Sequence, residues 1–129
     1  MLLVALVPDM MLAQPLGVST ERSQELLFAG RVQMEAGRMR AAEDSFRVLA
    51  QRPDGGVAAY HGLATAALYQ AFFTENEAYF ERFYGRADSL DRLIEAMAEG
   101  KGKRLARAEE TLMRSLAHGR EGSYLRAAW

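Results

Sequence analysis

Apolar residues recur at steps of three and four in every long segment of the chain, and no alternating, β-rich run interrupts them. That spacing marks one face of an α-helix, so the pattern predicts an all-α fold. After a linker from Pro15 to Thr20, Ser19 or Thr20 can cap a first helix running to about Ala36, with a turn at Gly37. A second helix, 38–51, carries Met39, Ala42, Phe46 and Leu49 on one face. Pro53-Asp54-Gly55-Gly56 ends it, because proline cannot continue a helix and the glycines favour a turn. A third helix, from Val57 to about Phe72, gathers Tyr60, Leu63, Ala64, Ala67 and Leu68 on one side.

The next segment has the most regular spacing. Thr74-Glu75-Asn76-Glu77 reads as a capping box, in which hydroxyl and carboxylate satisfy orphan backbone N–H groups. Behind it Phe80, Phe83, Ala87, Leu90, Ile94 and Met97 form close to three heptads of a narrow packing seam. A helix is expected over about 75–98, with Gly85 as its weak point. Residues 99–103 read as a loop. A fifth helix is expected from Arg104 to about Gly119, then a turn at Gly122 and the start of a sixth.

Small residues and turns recur at fixed offsets across these helices. Gly30, Gly37-Arg38-Met39, Ala42, Phe46 and Pro53 make one unit. Ala59-Tyr60-His61-Gly62-Leu63-Ala64 opens another, with Ala64 lying 34 residues after Gly30. Ser115-Leu116-Ala117-His118, Gly122-Ser123-Tyr124 and Ala127 make a partial third. This pattern resembles the tetratricopeptide repeat (TPR), a pair of antiparallel helices repeated every 34 residues. The resemblance is good from Leu26 to about Leu68, weak through the long helix, and partial from Ser115 onward. It implies an antiparallel helix-pair array, an α-solenoid fragment of about five to six helices over 19–129, with an enlarged middle unit at 57–99 and an incomplete last repeat.

Residues 1–18 stand apart. Met1-Leu2-Leu3-Val4-Ala5-Leu6-Val7 is apolar, and Met10-Met11-Leu12-Ala13 resumes the run after Pro8-Asp9. It is too short and too broken to span a membrane. Two readings fit: the remnant of an export signal, which would place the protein in the periplasm, and a short helix capping the array, which leaves a cytoplasmic protein. No Lys or Arg precedes Arg22, so the basic flank of such a signal is missing.

Composition narrows the function classes. Half of the residues are hydrophobic and the net charge is −1, which argues against disorder and against strong global attraction to nucleic acid. Cysteine is absent, excluding disulfides, thiolate metal sites and a Cys nucleophile. Gly100-Lys101-Gly102-Lys103 is not a phosphate loop: Met97 stands where the first glycine belongs and Arg104 replaces the Ser or Thr. His61 and His118, the only histidines, have no carboxylate at ligand spacing beside them, so no metal or other cofactor is expected. Residues 54–99 hold eight acids against three arginines, while 100–129 hold seven bases against three acids. The two charged stretches are expected to meet along adjoining helices. Tyr69, Tyr79 and Tyr84 fall off the packing seam; core packing with a wet hydroxyl is expected of them, and an exposed aromatic patch is the alternative.

No catalytic motif appears, so a non-enzymatic role is expected. The TPR resemblance implies a scaffold that holds a peptide or protein surface in a groove lined by first helices. Carried over by position, the groove residues are Leu27, Arg31, Met34 and Glu35 in the first unit and His61, Thr65, Leu68 and Tyr69 in the second. Arg31 is expected to clamp a carboxylate, and its loss to spare folding. The alternative is self-association, through a seam of Phe80, Phe83, Leu90, Ile94 and Met97 or through the apolar end at Trp129. At that end the natural polypeptide is expected to continue or to dock on a partner.

Overall fold

A computed structural model describes residues 16–127, with side chains as far as Gly122. Among the described residues it has five helices and no strand: α1 Glu21–Glu35, α2 Met39–Ala50, α3 Gly56–Thr74, α4 Glu77–Glu95 and α5 Lys101–Ala127. Each helix packs on its neighbour in sequence. In addition α1 touches α3, and α3 touches α5. The hub is therefore α3, and its composition suits that position. Ala58, Ala59, Ala64, Ala66, Ala67 and Ala71 are all buried, and such small side chains let helices approach from several sides.

Phe46 of α2 sets the closeness of the first three helices. Its ring lies against the backbone of Gly30 in α1 and of Gly62 in α3, where an added Cβ would fall 2.4 and 2.5 Å from it. Thr20 caps α1, accepting from the Ser23 amide, and Gly37 ends it with φ +79°. A polar knot holds the start of α1 to the turn before α3. Asp54 Oδ2 accepts from the amides of Ser19 and Thr20, each at 2.9 Å. Asp54 Oδ1 accepts from the buried Ser23 hydroxyl at 2.5 Å. Burial disfavours charge at Asp54, yet the Ser23 hydroxyl and the Thr20 and Ser19 amides outweigh it and hold the carboxyl well below the usual range.

The seam of α4 is spent inside the chain. Phe80, Phe83, Ala87, Leu90 and Ile94 are fully buried and Met97 packs partly against them, so this surface is not free for a second copy. The acidic and basic stretches do meet. Arg107 pairs with Asp91 and Glu95, and Arg114 Nη2 lies 2.9 Å from Asp88 Oδ1. A more enclosed pair ties α2 to α4: Arg86 holds Glu43 and also donates to the Leu63 carbonyl of α3 at 2.8 Å.

Several boundaries differ from the sequence reading. Thr74 is not a cap: α3 continues through it, and its hydroxyl donates to the Gln70 carbonyl at 2.6 Å. Glu75, at φ 53°, ends α3 in the left-handed region, and Asn76 caps α4 by accepting from the Ala78 amide. Lys101–Lys103 belong to α5 and not to a loop. The expected turn at Gly122 is absent, because α5 runs unbroken past Gly119 and Gly122. Two glycines cost a helix about 1 kcal/mol each. Here Arg120 pairs with Glu75 at 2.7 Å, and Tyr84 reaches His118 and Glu121, fastening that turn to the rest. The predicted linker also contains core: Leu16 and Val18 are buried. The apolar run 1–15 and Trp129 lie outside the described residues, and so do the expectations placed on them.

Candidate functional site

Of the residues carried over from the repeat pattern, Met34, Glu35 and Tyr69 line one depression between α1 and α3, and His61 and Thr65 meet α5. Leu27, Arg31 and Met34 on α1 and Thr65, Leu68 and Tyr69 on α3 are buried, whereas Glu35 is exposed and His61 half-buried. At one end α5 covers part of this face. His61 Nε2 lies 3.5 Å from Glu109 Oε2, and the Thr65 hydroxyl, which donates to the His61 carbonyl, is 3.4 Å from Met113 Sδ. The hydrogen bond from His61 and the positive field of Arg31 hold the Glu109 carboxyl below its ordinary value. Arg31 is only 9% exposed, so truncating it would remove packing as well as charge, contrary to the expectation that its loss spares folding.

The other end of the face is open. Met34, Glu35, Ala36, Gly37 and Met39 from α1 and the start of α2 oppose Tyr69, Gln70, Phe73 and Thr74 of α3. Together they line a depression of about 450 Å³. Tyr69 is 7% exposed, and its hydroxyl is buried with no hydrogen-bond partner among the described residues; the same holds for Gln70 Oε1. Burial and the nearby Glu35 carboxylate raise the Tyr69 pKa, so the phenol keeps its proton as a donor. Phe73, by contrast, is 72% exposed. An aromatic ring left in solvent beside buried, unpaired polar atoms is the molecule's clearest unsatisfied surface.

Of the lining residues, the repeat resemblance names Met34, Glu35 and Tyr69 but not Gln70, Phe73 or Met39. The ends of α1 and α3 create this depression, and helix ends are where periodicity is least informative. The three tyrosines pack on or in the core, as expected, and do not form the alternative exposed patch. Tyr69 is buried, Arg82 lies over the Tyr79 ring at 5.1 Å, and the Tyr84 hydroxyl is 3.1 Å from His118 Nδ1. Among the described residues no three His, Asp or Glu side chains converge as metal ligands would, and no helix is long and apolar enough to cross a membrane. Compared with known proteins, the chain matches no family model, no curated protein and no solved structure.

Proposed function

We propose that the chain is a TPR-like, non-enzymatic scaffold that binds a peptide or protein surface along the face shared by α1, α3 and α5. The reading is supported by the packing order, in which alternate helices touch one another as well as their neighbours. The observation that carries it is the open depression at Met34, Tyr69 and Phe73, with its exposed ring and its unpartnered hydroxyl. An extended segment laid on this face would cover Phe73 and give the polar atoms partners. The groove residues then divide by role. Leu27, Arg31, Leu68 and Thr65 form its floor, while Glu35, Tyr69 and Phe73 meet the ligand. The test is capture from native extract with immobilised protein, followed by binding of the captured segment as a synthetic peptide. Capture and peptide binding are expected to be lost with Phe73→Glu and kept with Val48→Glu, another exposed apolar position, on α2. Equal loss, or no loss with either, contradicts the proposal.

A second reading, self-association, is favoured by a different surface from the buried seam. Leu105, Leu112 and Leu116 of α5 are exposed at spacings that put them on one helix face. Sedimentation across a hundredfold concentration range separates the two, since a binder of this kind stays monomeric without its ligand.

A further inference from the structure

The depression has a charge character that narrows its ligand. Two helices, α1 and α3, bring their C-terminal ends to it, where the helix dipole is negative, against one positive end, the start of α2 at Met39. Neither helix has a basic residue in its last turn to offset that end. The lining adds one carboxylate, Glu35, and no Lys, Arg or His. Of the neighbouring cations, Arg120 pairs with Glu75, Arg38 donates to Gln33, and the field of Arg31 is shared between Glu109 and Tyr69. Among the described residues, the Gln70 Oε1 acceptor and the Tyr69 hydroxyl, a donor that can also accept, are buried without partners. The walls are Met34, Met39 and the faces of Tyr69 and Phe73.

We infer that this depression recognises a lysine or arginine side chain of the partner polypeptide; the inference rests on the scaffold reading above. The aliphatic stem of such a side chain lies along the methionines and Phe73, as long basic side chains lie on apolar surface. Its charged head reaches Glu35, Gln70 Oε1 and the Tyr69 oxygen, and an aromatic ring attracts a cation over its face. An acidic side chain would meet the Glu35 carboxylate and two negative helix ends, with only the start of α2 in its favour. A purely apolar one would leave the buried polar atoms unpaired.

Amide chemical shifts of the labelled full chain, titrated with small blocked amino acids, test this directly. The probes are Nα-acetyl-lysine N-methylamide, its arginine and glutamate counterparts, the neutral norleucine isostere, and 1,4-diaminobutane. The two basic probes are expected to give saturable shifts at Glu35, Gly37, Phe73 and Thr74, with norleucine about two- to fivefold weaker, the size of one screened ion pair. Glu35→Gln, at an exposed position, should bring the basic probes close to norleucine. Tyr69→Phe, which removes only the hydroxyl, should weaken them as well. Norleucine or glutamate binding as well as lysine, tighter binding of the free diamine than of blocked lysine, or no shift with any probe would each overturn the inference. If these probes fail while the captured segment still binds wild type and not Phe73→Glu, the scaffold reading stands and this inference alone falls.

Discussion

Phe46 shows how single residues decide this fold. Its ring occupies the space that a side chain at Gly30 or Gly62 would need, and being pinned from both sides it cannot move away from either. In an open helix, Gly→Ala gains about 1 kcal/mol from propensity. At these two sites overpacking of about 1–3 kcal/mol opposes that gain. Gly30→Ala and Gly62→Ala are therefore expected to lower stability in denaturant titrations. Gly85→Ala, with nothing within 4 Å of the new methyl in α4, should raise it by about 0.5–1 kcal/mol. A uniform effect at all three glycines would contradict the packing described. Asp54 makes a second prediction. Its carboxyl titrates lower in the folded protein than in the unfolded chain, so the stability it contributes is complete above the unfolded value, about pH 4, and is lost as pH falls below it. Asp54→Asn should cost about 1.5–3 kcal/mol near neutrality, the worth of hydrogen bonds to a charged group. The gap between the melting temperatures of variant and wild type should narrow as pH drops from 5 to 2. A gap that widens on acidification would contradict the role assigned to Asp54.

At the scale of elements, what was legible in the residues is what repeats. The steps of three and four along 80–94 place the buried face of α4 correctly, and Thr20, Gly37 and Pro53 bound α1 and α2 to within a residue or two. What was not legible depends on contacts distant in sequence. Thr74 looks like a cap until α3 is seen to continue through it, and Gly122 looks like a turn until Arg120, His118 and Glu121 are seen held by other helices. The candidate site divides in the same way. Met34, Glu35 and Tyr69 follow from the repeat resemblance, but the depression needs Met39 and Phe73, which only the packing of helix ends brings opposite each other. The Arg86–Glu43 pair was likewise invisible, joining α2 and α4 across α3. Arg86→Ala is expected to lower stability by about 3–5 kcal/mol, because it leaves Glu43 buried with only the more distant Arg47 nearby. The double substitution Glu43→Leu with Arg86→Met should recover most of that loss. Additive losses in thermal denaturation would show that the two side chains do not act as a pair.

At the scale of the whole molecule, one face matters most: α1 and α3 side by side, α5 across one end, and an electronegative, half-apolar depression at the other. Function on this account comes from what the fold leaves unpaired, since the seam and most of the aromatics are consumed in holding the helices together. The most direct measurement is a photo-cross-linking scan in native extract. A benzophenone amino acid is placed singly at Glu35, Phe73, Arg40, Val48 and Glu81, all exposed positions, and the adducts are sequenced. The account predicts that Glu35 and Phe73 capture the same polypeptide segment, one containing a lysine or arginine, and that the three positions on α2 and α4 do not. Adducts distributed evenly over all five positions, or confined to α2 and α4, would contradict it.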